Sequence, residues 1–289
     1  MKKVLITGAT GNVGIEVIKC LSKLNHTIQV FAGLRNVEEN QKKLAAYPIS
    51  AVQFDFTDST TYKSALQNCN ILFLLMPPQI SKVEKHFKSF ITLAKAERVE
   101  HILFLSVQGV KNNKIIPHYR IEKLIAKSNI AYTFLRPAYF MQNFTTVLRN
   151  DLVNKRTIFL PAGNAKFTLI DVRDIGMAAA TIIAATKNHV NKSYDLTSDE
   201  KLTFEEMANK FTAKLGTKIQ YQSPNLLKFY ITKRREKVPT MFILVMIMLH
   251  YFQRFRKGPP ISNCIEKITG RQPISFDQFV VDNKALLVK

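Results

Sequence analysis

Short apolar runs alternate with amphipathic stretches from the start of the chain to about residue 135. The runs predict six strands, which read KVLIT, IQVFA, SAVQF, ILFLL, HILFLS and AYTFLR. Between them, apolar side chains recur at helical spacing over residues 12–24, 37–45, 59–67, 80–97 and 117–128. Strands that are apolar nearly throughout are typical of a parallel sheet covered by helices. The alternation therefore predicts an α/β fold built on a doubly wound parallel sheet.

The first predicted strand runs into the segment TGATGNVG, which has glycines at positions 8, 11 and 14. Glycine permits a tight turn, a close approach of the backbone to a pyrophosphate and close packing of helix on strand. The helix that follows offers free N–H groups and the positive end of its dipole to phosphates. A glycine pattern between a strand and a helix predicts a dinucleotide site. The residues predicted to bind the dinucleotide here are Gly8, Thr10, Gly11, Asn12, Val13 and Gly14.

The end of the second predicted strand bears on which dinucleotide binds. An Asp or Glu there would hydrogen-bond the ribose of NAD and repel the 2′-phosphate of NADP. The sequence reads VFAGLRN, with Arg35 and no acid, and a guanidinium suits a phosphate. We therefore expect NADP as the cofactor, with NADPH preferred over NADH. The alternative is that Arg35 simply faces solvent.

Two further strand ends are predicted to contact the cofactor. Asp55 and Phe56 follow the third strand in QFDFTD and are placed to meet the adenine. Leu75, Met76 and the prolines at positions 77 and 78 leave the fourth strand as a stiff loop beside the cofactor. Buried packing is the alternative explanation for this loop.

Residues 151–289 follow a different pattern. The segment AKFTLIDVRDIG predicts a strand that turns into a helix. Thr203 precedes Glu205 and Glu206 at a helix start, close to the form of a capping box, and Gly216 fits a helix end. We predict a nucleotide-binding domain over residues 1–150 and a smaller lobe over residues 151–289.

The composition is that of a chain with a proper core, since 46% of residues are hydrophobic and 22% are charged. The three cysteines lie far apart and form no disulfide or metal-binding pattern, so we expect a cytoplasmic protein without a metal site. Only a short apolar run precedes the first glycine turn, so we expect no secretory signal. The formal net charge of +21 would attract polyanions.

Four segments together resemble the NmrA-like branch of the atypical short-chain dehydrogenase/reductases. They are TGATGNVG, QFDFTD, HYRIEKLIAKSNIAYTFLRPAYFMQNF and ITGRQPISFDQFV, and the resemblance runs from residue 1 to about residue 282. It implies a Rossmann fold with a small mixed C-terminal lobe that binds substrate and is interleaved with the main sheet. It also implies NADP(H) binding, together with either reduction of quinones and dyes or redox sensing without turnover.

One serine, one tyrosine and one lysine match the catalytic order of the wider reductase superfamily. Ser106 closes the fifth strand, Tyr119 follows it by thirteen residues, and Lys123 lies one helical turn further on. In that superfamily the Tyr protonates a carbonyl oxygen, the Lys lowers the pKa of the Tyr and holds the nicotinamide ribose, and the Ser polarises the carbonyl. NmrA-like members commonly keep a His and an acid instead, and His118 and Glu122 match those positions. Tyr119 is therefore either a proton donor or incidental.

The segment RPAYFMQN follows the sixth strand, which Pro137 ends because proline cannot donate to a ladder. The resemblance implies that Pro137 and Tyr139 contact the cofactor. It implies that His118, Phe140 and Asn143 contact the substrate. The alternative is that the aromatic residues are ordinary core residues.

An unbroken apolar run from Met241 to Leu249 has basic flanks, and residues 225–260 hold eight basic side chains and one acid. The run is too short to span a bilayer, which takes about 20 apolar residues. One interpretation is a helix that lines the substrate pocket or a homodimer interface, and the resemblance favours the pocket. The other is peripheral contact of residues 239–257 with anionic lipid.

Together these observations predict an NADP(H)-dependent oxidoreductase that transfers hydride to a quinone or another apolar conjugated carbonyl acceptor. The alternative is a non-catalytic, NADP(H)-sensing regulatory protein of the NmrA type, which would bind nucleotide without consuming it. The sequence has neither a helix-turn-helix nor an aromatic RNA-binding signature, so we expect no specific nucleic-acid partner.

Overall fold

The computed structural model of the chain describes residues 2–24, 28–77 and 83–288, without the side chain of Glu84. The strands are β1 (Lys2–Ile6), β2 (Ile28–Leu34), β3 (Ser50–Gln53), β4 (Ile71–Leu75), β5 (His101–Leu105), β6 (Ala131–Pro137), β7 (Tyr139–Phe140), β8 (Thr157–Phe159), β9 (Phe167–Ile170), β10 (Lys192–Leu196), β11 (Lys201–Leu202) and β12 (Gln220–Gln222). The α-helices are α1 (Asn12–Lys23), α2 (Val37–Gln41), α3 (Tyr62–Leu66), α4 (Val83–Ala96), α5 (Pro117–Lys127), α6 (Arg149–Lys155), α7 (Val172–Ala184), α8 (Phe204–Leu215), α9 (Leu226–Arg235), α10 (Thr240–His250), α11 (Cys264–Thr269), α12 (Phe276–Asp282) and α13 (Lys284–Leu287).

The main sheet has seven strands in the order β3-β2-β1-β4-β5-β6-β10, and every neighbouring pair is parallel. The strand order reverses between β1 and β4, which is the switch point of a doubly wound Rossmann-type sheet. Helix α7 packs with α1 and α11, whereas α4 packs with α3 and α5. The predicted fold class is confirmed.

All six predicted strands lie in this sheet, but its seventh strand, β10, was not predicted. Strand β10 pairs on one side only and reads KSYDL, and Leu196 is its only buried residue. An edge strand of this kind has no continuous apolar run, so the pattern that identifies buried strands misses it.

The helices between the six predicted strands begin and end close to the predicted positions. Helix α1 ends at Lys23, and α5 spans Pro117–Lys127. The prediction over 80–97 appears as α4 from Val83 onwards, and its residues 80–82 lie outside the described residues. Local periodicity was sufficient here because each helix buries one apolar stripe.

The chain divides into two compact units. The first comprises the residues up to Ala138, Val172–Leu196 and Asn263–Gln272, and it contains the seven-stranded sheet. Its core includes a cluster of aromatic rings whose centroids lie 4.7–5.8 Å apart, formed by Phe54, Phe56, Tyr62, Phe87 and Phe90. Each such ring contributes about 1.5–3 kcal/mol when it is fully buried.

The second unit comprises Tyr139–Asp171, Thr197–Ser262 and residues from Pro273 onwards. Its small sheets are β11-β9-β7, which mixes a parallel and an antiparallel pair, and the parallel pair β12-β8. Helix α8 begins with the capping box formed by Thr203 and Glu206, and it ends at Gly216 in the left-handed region (φ +71°). Among the described residues, no helix is long and apolar enough to cross a membrane.

The segment TGRQPISF has structural contacts in both units. In the first unit, the guanidinium of Arg271 lies 3.1 Å from the carboxylate of Asp174, a fully buried residue of α7. In the second unit, the Ser275 side chain caps α12, and the backbone N–H of Phe276 donates to Glu200 at 2.8 Å. The arginine of this segment thus contributes to pairing a carboxylate that is costly to bury.

Replacing Gly176 with valine is expected to destabilise the first unit. A Cβ at Gly176 would lie 2.7 Å from the backbone carbon of Glu16, where α7 crosses α1. Overpacking of this kind costs roughly 1–3 kcal/mol or more in the free energy of unfolding. Urea denaturation followed by circular dichroism measures the loss, with Thr181→Val at a half-buried position of the same helix as control. Equal midpoints for the two variants would contradict the close approach.

Candidate functional site

The predicted nucleotide-binding residues of the first unit follow successive strand ends. The glycine loop follows β1, Arg35 follows β2, Asp55 lies two residues past β3, and Ser106 follows β5. Because all seven strands are parallel, these positions lie at one edge of the sheet. Ligands of doubly wound sheets bind outside this carboxyl edge, beside the switch point between β1 and β4.

The glycine loop has a backbone that only glycine allows. Gly8 lies in the left-handed region (φ +61°), and its carbonyl accepts a hydrogen bond from the N–H of Gly11 at 3.0 Å. A Cβ at Gly14 would lie 2.2 Å from the Gly8 carbonyl oxygen, so no side chain fits there. Gly8, Gly11 and Asn12 are exposed, whereas Val13 and Gly14 are buried. The loop therefore presents backbone rather than side chains.

The start of α1 suits an anion. No side chain caps the helix at Gly11, and its first turn contains no acidic residue. The N–H groups of the first helical turn have no intrahelical acceptor, and the helix dipole adds a partial positive charge there. These features fit the pyrophosphate of a dinucleotide, with Asn12 and Val13 offering N–H groups and Thr10 half-buried beside them.

The loop is attached to the neighbouring strand β4. The Thr7 hydroxyl donates to the carbonyl of Phe73 at 3.1 Å and accepts from the N–H of Leu75 at 2.9 Å. The Leu75 side chain covers Gly8, since a Cβ there would lie 3.5 Å from the Leu75 Cδ1. Leu75 therefore contacts the glycine loop, and Met76, half-buried, packs against the core of the first unit. Pro77 is half-buried, and Pro78 lies outside the described residues.

Arg35 is exposed at the end of β2 and makes no hydrogen bond or ion pair with any residue that the structure describes.

The two residues predicted to meet the adenine, Asp55 and Phe56, have different surroundings. The Asp55 carboxylate accepts hydrogen bonds from the N–H and the hydroxyl of Thr57 at 2.7 and 2.8 Å, so it stabilises the turn that it belongs to. The Phe56 ring is 5% exposed and stacks on Phe87 at 4.9 Å, which leaves mainly its backbone for a ligand.

Helix α5 carries both candidate catalytic patterns on different sides. Glu122 faces inward and is buried, where its carboxylate forms a bidentate pair with the Arg136 guanidinium at 2.9 and 2.7 Å. His118, one turn earlier, is half-buried with its ring centroid 6.1 Å from that of Phe104. Burial lowers the pKa of His118 to about 4, and the charge of Glu122 opposes that shift. His118 is therefore neutral at pH 7.

Tyr119 and Lys123 lie on the more exposed side of α5. Tyr119 is half-buried, Lys123 is exposed, and the Lys123 ammonium lies 5.6 Å from the centroid of the Tyr119 ring. The Ser106 hydroxyl is buried and has no hydrogen-bond partner among the described residues, although the Ser106 N–H donates to the carbonyl of Leu135 at 2.7 Å. A buried hydroxyl without a partner costs about 1–3 kcal/mol, which makes Ser106 the side chain of this edge most in need of a ligand.

The remaining predicted residues fall at the end of β6 and in the second unit. Pro137 is the last residue of β6, and its carbonyl accepts from the N–H of Gln108 at 3.0 Å. Tyr139 and Phe140 form β7 and are half-buried, and Asn143 lies in the 3-10 turn that follows. Burial raises the pKa of Tyr139 well above its usual range, although a hydrogen bond from Asn143 opposes the shift.

The Tyr139 hydroxyl lies 3.2 Å from Nε2 of His250, a residue of α10 that is 3% exposed. The His250 Nδ1 lies 2.6 Å from the carbonyl oxygen of Met246, which can only accept. Nδ1 therefore carries the proton, and Nε2 of the neutral ring accepts from the Tyr139 hydroxyl. This pairing engages both side chains and attaches α10 to β7.

The sequence analysis did not identify Arg136, the partner of Glu122, or His250, the partner of Tyr139. Arg136 is the one charged residue of a mostly buried strand, β6, and a buried arginine needs an anionic partner, so its position was a usable signal. His250 ends an apolar run and gave no such signal, because a single histidine at that place is equally suited to solvent. Among the described residues, no group of three His, Cys, Asp or Glu side chains could hold a metal ion.

Acidification from pH 6.5 to about pH 4 is expected to destabilise the protein. His101 and His250 are 2% and 3% exposed, and burial lowers the pKa of each to about 4. Between pH 6.5 and pH 4 these two rings are protonated in the unfolded chain but remain neutral in the native protein. Each ring therefore lowers the free energy of unfolding by up to about 1.4 kcal/mol for every pH unit of acidification. Urea midpoints at pH 7 and pH 5 measure the loss, and His250→Gln should flatten it by one proton. An unchanged slope in that variant would contradict the prediction.

Comparison with known proteins identifies the family to which this chain belongs. The sequence model of the NmrA-like family matches residues 1–269. Quinone oxidoreductase 2 of Escherichia coli K12 is 30% identical over 224 residues, covering 76% of this chain and 77% of that protein. Prestalk A differentiation protein A of Dictyostelium discoideum is 26% identical over 281 residues, covering 96% and 90%.

A solved structure shares the fold over nearly the whole chain. It is the crystal structure of an NADPH-dependent quinone oxidoreductase from Escherichia coli complexed with NADPH. The TM-score is 0.85 at 25% identity, and the match covers 96% of this chain and 99% of the other. With its seven-stranded sheet, its glycine loop and a family match over residues 1–269, this chain belongs to the NmrA-like family.

Proposed function

We propose that this protein is an NADP(H)-dependent oxidoreductase that passes hydride to a quinone or another apolar conjugated carbonyl compound. The observation that carries the proposal is the similarity, over nearly the full chain, to a quinone oxidoreductase whose crystal structure contains NADPH. The 30% identity to quinone oxidoreductase 2 supports the same class of acceptor.

The nucleotide is proposed to bind along the carboxyl edge of the seven-stranded sheet. The N–H groups at the start of α1 bind the pyrophosphate, because neither a side-chain cap nor an acid competes for them. Arg35 binds the 2′-phosphate, which distinguishes NADPH from NADH, since its guanidinium is exposed and unpaired among the described residues. Asp55 and the backbone of Phe56 are proposed to contact the adenine of the nucleotide. Leu75 and Pro137 are proposed to contact its nicotinamide end.

Bound NADPH supplies the hydride. The Ser106 hydroxyl donates a hydrogen bond to the oxygen of the acceptor or of the nicotinamide ribose, which gives this buried group a partner that it does not have among the described residues. Lys123 holds the ribose hydroxyls through its exposed ammonium. Burial lowers the pKa of His118 to about 4, so we propose that its neutral ring contacts substrate. Phe140 and Asn143 are proposed to contact substrate as well.

Tyr119 is proposed as the proton donor only for acceptors that need acid catalysis. An aldehyde or ketone oxygen becomes strongly basic as hydride arrives, so a positioned hydroxyl accelerates its reduction. A quinone accepts hydride readily, and its reduced oxygen can be protonated by water. The two classes of acceptor should therefore respond differently to loss of the Tyr119 hydroxyl.

The first experiment is NADPH oxidation, followed by absorbance, against a panel of small quinones and aldehydes, with NADH in parallel. We expect steady turnover of at least one quinone, with kcat/KM higher for NADPH. Arg35→Glu should lower kcat/KM for NADPH by about 10–100-fold, the effect of losing one charge-assisted hydrogen bond, and should leave NADH nearly unchanged.

The matched control for Arg35 is Lys42→Glu, which changes the charge equally at an exposed position nearby. If kcat/KM for NADPH falls to the same extent in both variants, long-range charge rather than a contact with the 2′-phosphate explains the preference for NADPH. Tight nucleotide binding without oxidation by any acceptor would contradict the enzyme and would favour a nucleotide-sensing regulator.

Tyr119→Phe should separate the two classes of acceptor. We expect its kcat for aldehydes to fall by about 10²–10⁴-fold, the usual contribution of a general acid, and its kcat for quinones to change by less than about threefold. Tyr132→Phe is the control, because Tyr132 is a half-buried tyrosine of the same unit that stacks on Phe134. Unchanged aldehyde reduction in Tyr119→Phe would show that this hydroxyl is not the proton donor.

A further inference from the structure

Helix α10 has two apolar stripes on opposite sides. Ile243, Met246 and His250 face the interior of the second unit and are 0%, 5% and 3% exposed. The other stripe is 41–73% exposed: Met241, Leu244, Val245, Met248 and Leu249 lie on α10, and Phe252 continues their helical spacing in the 3-10 turn that follows. We name these six residues the outer stripe. The helix is thus apolar toward the core and apolar toward solvent.

The outer stripe is unusual for a helix at a protein surface. Single exposed apolar residues are common, but a continuous row of them marks a contact with another molecule. Helix α8 of the same unit shows the ordinary arrangement: it buries Phe204, Met207 and Phe211 and exposes Glu205 and Lys214. The packing of α10 needs only its inner stripe, so the outer stripe requires a separate explanation.

Basic side chains lie at both ends of α10. Those exposed within a few residues of the helix are Arg234, Arg235, Lys237, Arg254, Arg256 and Lys257. None of the six forms an ion pair with a carboxylate among the described residues. The nearby acid, Glu236, already pairs with Lys155 and Lys233. The outer stripe is therefore flanked by uncompensated positive charge.

This charge decides between the two simplest occupants of the surface. A symmetric dimer through α10 would place the same basic clusters of two copies against each other, and like charges in such an interface are repulsive. An anionic lipid surface offers the opposite charge at its headgroups and an apolar layer directly beneath them. Both properties of α10 are then satisfied by one partner.

The dimensions and the aromatic residues fit a helix that lies in the plane of the headgroups. Eleven residues make a helix about 16 Å long, against a hydrocarbon thickness of about 30 Å. Phe252 and Phe255, 51% and 70% exposed, follow the helix, and the Arg254 guanidinium lies 5.2 Å from the centroid of the Tyr251 ring. Aromatic rings beside arginines are typical of the boundary between acyl chains and headgroups.

We propose that α10 docks on the surface of anionic membranes, with the outer stripe inserted among the acyl chains and its basic flanks on the headgroups. This interaction goes beyond the proposed oxidoreductase activity, since it requires neither nucleotide nor acceptor. An acceptor as apolar as a membrane quinone is concentrated at such a surface, so docking would bring the protein to the lipid phase that holds it.

The test is sedimentation of the full-length protein with phosphatidylcholine vesicles, with and without about one third phosphatidylglycerol. We expect binding to the anionic vesicles at low salt and much weaker binding to the neutral ones. Leu244→Glu/Leu249→Glu should lower binding to the anionic vesicles by on the order of a hundredfold, because two charges replace inserted side chains.

The matched control is Val281→Glu/Leu286→Glu, which places the same two charges at apolar positions that are 52% and 50% exposed on α12 and α13. This control should bind anionic vesicles nearly as well as the wild type does. Equal losses in the two double variants would contradict insertion of α10, as would absence of binding by the wild type. Circular dichroism confirms that each variant is folded.

A second pair of variants tests the basic flanks. Arg235→Glu/Lys237→Glu/Arg256→Glu should lower binding by on the order of a hundredfold. The same reversal at three exposed lysines of the second unit, Lys214→Glu/Lys218→Glu/Lys284→Glu, should lower it far less. Equal effects would overturn a local role of the flanks. So would sedimentation equilibrium showing a wild-type dimer that Leu244→Glu/Leu249→Glu dissociates, because a second copy would then occupy the surface.

Discussion

Close backbone packing at the first turn of α1 determines what the nucleotide edge of the sheet can do. Gly14 sits so near the Gly8 carbonyl that even a methyl group would overlap it, and the Thr7 hydroxyl joins the same loop to β4. The loop therefore has little freedom to rearrange. It presents exposed backbone and the uncapped start of a helix to any ligand at that edge, and the proposed pyrophosphate contacts depend on this arrangement.

The buried pair of Arg136 and Glu122 has a comparable effect on α5. A guanidinium and a carboxylate that are both withdrawn from water must remain paired, because leaving either one alone costs several kcal/mol. This requirement sets the rotation of α5: Glu122 and His118 face inward, while Tyr119 and Lys123 lie at the more exposed side. The acid of the His and acid pattern is thus engaged in a structural pair here, and Tyr119 and Lys123 lie on the side of α5 that is more open to a ligand.

The second unit combines a rigid interior with an unusual exterior. The neutral His250 accepts from Tyr139 and donates to Met246, so α10 is attached to β7 by directional bonds as well as by packing. A helix held this firmly can expose an apolar stripe without rearranging to bury it. That combination makes lipid docking compatible with a stable fold, since the outer stripe contributes little to the core.

The sequence by itself determined the six apolar strands, the helices between them, the glycine loop and the acid-free end of β2, because each depends on local spacing or on residue type. Tertiary structure decided the rest. Strand β10 joins the sheet through edge pairing that its polar sequence does not reveal. The direction in which Tyr119 and Glu122 of α5 point depends on Arg136, which lies on β6. The buried side of α10 could not be read from a run that is apolar throughout, because only the packing partner of a uniformly apolar helix distinguishes its faces.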